Sequence, residues 1–248
     1  MFKLVSFDFW CTLVCFNLKE LNKMKSNRLK WFYGSLTKKG YNVSEESVEH
    51  AIKSSRIDMD KIRFATNKEF NTTQTVESIL SKLDIKNDCE IQNELEDVYS
   101  KAMLSMEITL QPKAIEILNG LRQKNIKIGL ISNTEHGEAE RILLEEFNLT
   151  QYFNLLIFSC EVGVREPGAE IFNKLLTGLN TDCTEAVHVG DRLIDDVFGA
   201  KQSGIKAIYL QPPFNYHEKQ LTEPDIIIKE FAELPSALSK ICACSSTG

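Results

Sequence analysis

The 248-residue sequence predicts an α/β fold, a doubly wound parallel sheet carrying a smaller all-helical domain. Three observations lead there. Short apolar runs end at polar or turn residues, amphipathic segments at helix spacing separate them, and one long stretch breaks that rhythm. Phe2 to Phe7 is the first run and stops at Asp8. Ile126 to Ile131 stops at Ser132-Asn133-Thr134, Phe153 to Phe158 at Ser159, and Ala186 to Val189 at Gly190-Asp191. Ala207 to Leu210 ends at Gln211-Pro212-Pro213, and Asp225 to Ile228 is the last run. Continuous apolar runs bounded by turn residues suit strands covered on both faces.

The intervening segments have helix spacing. Ile115, Ile117, Leu118 and Leu121 follow Pro112, which suits a helix start. Ala139, Ile142, Leu143 and Phe147 follow the second run, and Ile171, Phe172, Leu175 and Leu176 follow the third. Val197, Phe198 and Ala200 lead to Gly204, a stop signal. Strand alternating with helix indicates a parallel sheet, in which polar residues at the carboxyl strand ends converge on one crevice. Asp8, Ser132, the segment after Ser159, and Asp191 all occupy such ends. Residues 16–107 differ: they are rich in lysine and glutamate, with helix spacing at Leu29, Phe32 and Leu36, at Val48, Ala51 and Ile52, and at Val76, Ile79 and Leu80. Thr72 or Thr73 before Glu77 resembles a helix start. The expected division is a core of 1–15 and 108–248 with helices of 16–107 inserted after the first strand.

Composition narrows the function. With 43% hydrophobic residues the chain can bury a sizeable core, and a net charge of −6 gives no reason to expect nucleic-acid or membrane partners. Seven cysteines without a CxxC pair read as free thiols of a cytoplasmic protein. The Cys242-Ala243-Cys244 tail reads as a plain terminus before it reads as a soft-metal site.

At the strand ends, Asp8 with Thr12 in the following loop suits a carboxylate nucleophile, or a simple helix cap. Asp191 with Asp195 and Asp196 suits oxygen ligation of Mg²⁺, or a solvated helix start favoured by the dipole. Ser132 and Asn133 suit an anion held at a strand-to-helix turn, and equally a cap.

Together these segments resemble the haloacid dehalogenase-like superfamily. Phe7-Asp8-Phe9-Trp10-Cys11-Thr12-Leu13 is similar to its first motif, and Ile131-Ser132-Asn133 to its second. Val164-Arg165-Glu166-Pro167 resembles the third, and His188-Val189-Gly190-Asp191, running to Asp195-Asp196, the fourth. The resemblance implies a Rossmann-like core with a helical cap, Asp8 as nucleophile, and Ser132 on the transferring phosphoryl group. It further implies substrate contacts at Thr12, Ser132 and Asn133, and Mg²⁺ held by Asp8, the Trp10 carbonyl and Asp191. A phosphatase or phosphotransferase acting on a small phosphorylated metabolite follows, as a monomer or homodimer.

Two positions depart from the pattern. Trp10 stands where family phosphatases carry an acid–base aspartate, and general acid–base help is worth about 10²–10⁴-fold. Glu166 stands where they carry a lysine, with Arg165 or Lys113 as replacements. An aromatic residue at Trp10, with Arg28 beside Trp31 and Phe32, also fits the superfamily's 2-haloacid dehalogenases. A non-catalytic protein of the same fold is the third reading. Arg28 and His136 are expected at the surface, His188 packed in its strand, and Cys11 and Cys15 inert.

Overall fold

The computed structural model describes residues 2–86, 88–212, 214 and 216–244, the side chains of Ala243 and Cys244 excepted. The first strand, β1 (Leu4–Phe7), feeds a tight loop and a two-residue strand, β2 (Val14–Cys15). Four helices follow: α1 (Leu18–Lys38), α2 (Glu45–Thr66), α3 (Thr72–Lys82) and α4 (Cys89–Leu104). The chain returns through β3 (Thr109–Leu110), antiparallel to β2. Then come α5 (Ala114–Gln123), β4 (Lys127–Ser132), α6 (Gly137–Glu146), β5 (Leu155–Phe158), the single turn α7 (Ser159–Val162) and α8 (Ala169–Gly178). The last part runs β6 (Ala186–Gly190), a π-helical turn (Leu193–Phe198), α9 (Gly199–Gln202), β7 (Lys206–Leu210), β8 (Ile226–Ile228) and α10 (Leu234–Cys244).

Six strands form one parallel sheet in the order β5-β4-β1-β6-β7-β8. Alternation along the strands sends side chains to both faces. Val5, Phe7, Ile128, Leu130, Val187 and Val189 pack under α5, α6 and α10. Leu4, Ile131, Ala186 and Ala207 pack under α8 and α9 through Phe172, Leu175 and Ala200. Both faces are covered, which is why the strands read as unbroken apolar runs. This is the doubly wound α/β class expected from the sequence. After β5 the chain crosses β1 to reach β6, so the crevice at the carboxyl ends of β4, β1 and β6 lies at a topological switch.

The helices α1–α4 have a core of their own, built on Phe32, Leu36, Val48, Val76, Ile79, Leu80 and Leu95. Their starts are capped by Asn17, Ser44, Asn71 and Asp88, each accepting from backbone N–H groups of the first turn. Such caps contribute about 1 kcal/mol apiece. The third cap is Asn71, with Gln74 closing a capping box, and Thr72 is already helical. The helix start expected at Thr72 or Thr73 is thus met at Thr72, with Asn71 as its cap. A methionine-rich seam of Met24, Met103 and Met106 with Ala102 joins these helices to Ala139 of α6. Among the described residues no helix is long and apolar enough to cross a membrane. Cys242 packs against the core cluster, while the tail beyond residue 244 lies outside the described residues.

Candidate active site

Asp8 follows β1 directly, Ser132 closes β4, and Asp191 follows β6, so parallel pairing brings all three to the same edge of the sheet. The Asp8 loop is tight: Leu13 and Val14 N–H groups both donate to the Phe9 carbonyl, and Cys11 takes a left-handed φ of 59°. At β6 a close approach dictates glycine, because a Cβ at Gly190 would stand 2.1 Å from Asp196 Cγ. The π-helical turn thus lays Asp196 over the strand end, where its Oδ2 accepts the Arg192 N–H at 2.7 Å. π-turns recur at functional sites for this reason: one extra residue re-aims a side chain.

Each of Asp8, Asp191 and Asp196 offers a carboxylate oxygen within 4.8 Å of the others, and all three are buried. Glu166, His188 and Asp196 form a second such group. Asp8 Oδ2 makes no hydrogen bond and Asp8 no ion pair among the described residues. Burial pushes the Asp8 carboxyl well above the ordinary range, and the Asp196 and Asp191 charges push it further. Burial and Asp196 raise Asp191 to about 8, against the hydrogen bond it accepts from the Tyr216 hydroxyl at 2.7 Å. Burial likewise raises Glu166, reinforced by Asp196 and Asp8. Crowded carboxylates titrate upward unless a cation relieves them.

Above these groups lies a cavity of about 450 Å³ whose opposite wall comes from α1, α2, α4 and the β4–α6 loop. Arg28 sits there with its guanidinium carbon 3.7 Å from the centre of the Tyr99 ring. Its Nε is buried and has no hydrogen-bond partner among the described residues. Arg63 is buried among acids, donating to Glu69 at 2.7 Å, Asp60 at 2.9 Å and Glu135 at 2.6 Å. His136 is buried and held down to about 3, first by burial and then by the Arg28 charge, so its imidazole is neutral. Its Nδ1 lies 2.9 Å from the Thr72 hydroxyl. A larger hollow of about 1150 Å³ between α5 and α10 is lined mostly by apolar side chains, and neither Asp8 nor Asp191 reaches it.

Asp8, Trp10, Asn133, Arg165 and Asp191 all line the smaller cavity. Thr12 and Ser132 are fully buried beside it, the Thr12 hydroxyl next to the Asp8 carboxyl and the Ser132 hydroxyl next to Glu140. Asn133 clamps a neighbour: its amide donates to the Glu166 carbonyl at 3.2 Å and accepts the Glu166 N–H at 3.0 Å. Trp10 donates its indole N–H to Glu140 at 2.7 Å. Arg165 lines the cavity but forms no ion pair with Asp8 among the described residues. Its guanidinium lies 3.6 Å from Glu69 and 3.9 Å from Asp195, because an antiparallel bridge of Lys68 with Val164 draws that segment towards the helices. Lys113 is exposed at the start of α5 and lines no part of the cavity.

Two surface expectations are corrected. Arg28 is buried because Tyr99 offers it an aromatic face, and His136 because the loop after β4 folds under α3 and α4. Glu69, Glu140 and Tyr216 were not singled out from the sequence. Glu140 alone carried a signal, since it shares a helix face with Ala139, Leu143 and Leu144, where a charge must find a partner.

Comparison with known proteins places this geometry. Over 150 residues the chain is 32% identical to the pyrimidine 5'-nucleotidase YjjG of Escherichia coli, covering 59% of this chain and 64% of that one. Over 101 residues it is 36% identical to a glyceraldehyde 3-phosphate phosphatase of Pyrococcus abyssi, covering 40% and 42%. The matches thus span less than two thirds of these relatives' lengths. The fold is shared with a 2-haloacid dehalogenase of Pseudomonas syringae at a TM-score of 0.73 and 22% identity, over 97% of this chain and 100% of that one. It is shared also with a phosphatase of Thermococcus onnurineus at a TM-score of 0.64 and 23% identity, over 95% and 97%. A haloacid dehalogenase-like hydrolase family model matches residues 2–204, and the chain belongs to that family.

Proposed function

We propose that the protein is a Mg²⁺-dependent phosphatase or phosphotransferase for a small phosphorylated metabolite, working slowly through an aspartyl intermediate on Asp8. One observation carries the reading: Asp8, Asp191 and Asp196 converge, all buried and with Asp8 Oδ2 lacking a partner among the described residues, beneath an arginine-bearing cavity. The donor set is oxygen-only and its charge is uncompensated, which suits a hard divalent cation. Asp8, Asp191 and the Trp10 backbone carbonyl would hold Mg²⁺, which when bound neutralises charge on nucleophile and phosphoryl group alike. The cytoplasmic setting expected from the free cysteines and the names of the relatives fit this reading.

In the first step an Asp8 oxygen attacks phosphorus and the bond to the leaving oxygen breaks. That oxygen departs as an alkoxide and takes its proton from water, because the Trp10 indole is committed to Glu140 and has none to exchange. Water then attacks phosphorus and releases Asp8 and inorganic phosphate. Ser132 and Thr12, whose hydroxyls lie beside Glu140 and Asp8, would meet the phosphoryl oxygens once the loop adjusts. The helices of residues 16–107 act as the cap, and the cavity of about 450 Å³ restricts the substrate to a small molecule.

Hydrolysis of an aryl phosphate with Mg²⁺, abolished by EDTA, is the expected result. Turnover undiminished by EDTA overturns it. Trp10 and the buried Arg28 favour a second reading, 2-haloacid dehalogenation, which halide release from a short haloacid in EDTA would reveal. Silence in both assays, with cation binding retained, indicates a protein that has kept the fold and lost the reaction.

A further inference from the structure

Beside the oxygen-only group lies a different donor set. Glu166, His188 and Asp196 place one ligand atom each within 4.8 Å of one another, all buried. His188 Nε2 stands 3.4 Å from Glu166 Oε1 and 3.3 Å from Asp196 Oδ1. Glu166 Oε1 satisfies no hydrogen-bond geometry among the described residues although Glu166 is only 1% exposed. On the other side of the ring, Nδ1 lies 2.9 Å from Ser6 Oγ, and Ser6 Oγ lies 3.4 Å from the Val187 carbonyl, so a proton on Nδ1 has an acceptor in Ser6 when the Ser6 hydroxyl turns to Val187. With the proton on Nδ1, Nε2 offers a lone pair between the two carboxylates, and a cation among the three atoms relieves the repulsion that the Nε2–H form relieves by its hydrogen bond to Asp196. A ring whose far N–H is anchored in this way is the usual form of a metal-bound histidine. Two basic groups of the cavity wall are engaged elsewhere, Arg63 with Glu69 and Glu135 and Arg165 with Glu69 and Asp195.

We propose that Glu166, His188 and Asp196 bind a second divalent cation, of the kind that accepts imidazole, with the Asp196 carboxylate bridging it to the cation held by Asp8 and Asp191. Imidazole with two carboxylates selects a transition-series ion such as Mn²⁺ or Zn²⁺ over Mg²⁺. Bridged pairs of this type stand about 3.5–4 Å apart. The proposal shares Asp196 with the phosphatase reading, but its test counts ions and not turnover, so either can fail alone.

The probe is Mn²⁺, counted by equilibrium titration of the metal-stripped full chain and located by anomalous scattering from crystals. Wild type is expected to take two Mn²⁺ per chain, one of which excess Mg²⁺ displaces while the other stays. Glu166→Lys, which supplies a fixed charge at the same place, and His188→Asn should each take one. Glu166→Lys guards against a His188 variant that fails to fold, and circular dichroism checks both. One Mn²⁺ in wild type overturns the proposal, since a proton then holds the cluster together. Two Mn²⁺ in both folded variants overturns it equally, since the second ion is then bound elsewhere.

Discussion

The floor and the roof of the cavity solve the same problem, charge out of water, in opposite ways. On the floor Asp8, Asp191, Asp196 and Glu166 crowd together with no basic side chain bonded to Asp8 among the described residues. On the roof every acid is answered: Arg63 alone engages Glu69, Asp60 and Glu135, and it holds Glu135 below the ordinary carboxylate range although burial alone would raise it. A roof balanced by its own side chains is complete without a ligand. A floor of uncompensated carboxylates is completed from outside, which is the mark of a place built to receive a cation and an anion together.

Removing the nucleophile tests the floor most severely. Asp8→Asn should lower aryl-phosphate turnover by ~10³-fold or more while making the metal-free protein no less stable, read by steady-state rates and thermal melting. A variant that keeps its rate breaks the assignment of the floor to chemistry. Trp10→Asp combined with Glu166→Lys works in the other direction. Restoring an acid–base carboxylate and one fixed cation should raise turnover by about 10²–10⁴-fold, and an unchanged rate would place the slow step elsewhere.

On the roof the large effect is on stability. Arg63→Ala strands Glu69 and Glu135 in a buried setting, and should cost about 3–5 kcal/mol in urea denaturation. A loss below 1 kcal/mol would show the network to be solvated in solution. Arg28→Ala removes a cation whose Nε awaits a partner; it should raise KM by about tenfold or more with kcat little changed. Equal losses in both parameters' ratio and kcat would move Arg28 from binding to chemistry.

The smallest effects sharpen the contrast through pH. Asp191 is raised to about 8 when folded, so the folded metal-free chain holds a proton that the unfolded chain releases above about 4. The stability this adds is fully present in acid and lost as pH climbs from about 4 through 8. His136 is depressed to about 3, so the stability tied to its neutral ring is present above about 6.5 and lost as pH falls towards 3. Melting temperatures in EDTA across this range should lose the first slope in Asp191→Asn and the second in His136→Gln. Added Mn²⁺ or Mg²⁺ should cancel the first slope alone, because a bound cation displaces the proton.

The floor was legible in the sequence and the roof was not. Asp8, Ser132 and Asp191 are placed by the ends of apolar runs, and a strand end is a local property that register carries into space. All six strands fall within two residues of the apolar runs that announce them. Arg28, Arg63 and His136 depend instead on which face of a helix or loop meets the sheet, and a single charge on an amphipathic helix reads as solvated. Tyr99 lies 71 positions from Arg28, and nothing local joins them. The partners of Arg165 were hidden for the same reason, since its segment is held by Asn67, whose carbonyl accepts the Arg165 N–H at 3.0 Å.

The pair of short strands at the neck has a mechanical meaning. Both chain crossings between sheet and helices run through Val14–Cys15 and Thr109–Leu110, hydrogen-bonded to each other, and the Lys68–Val164 bridge ties the helices to the core at a second place. Val14 is also bridged to Trp10, whose carbonyl would hold Mg²⁺ in the proposed site. Loop and neck therefore share five residues of chain, Trp10 to Val14, and the position of the helices and the shape of the loop are set by the same stretch of backbone.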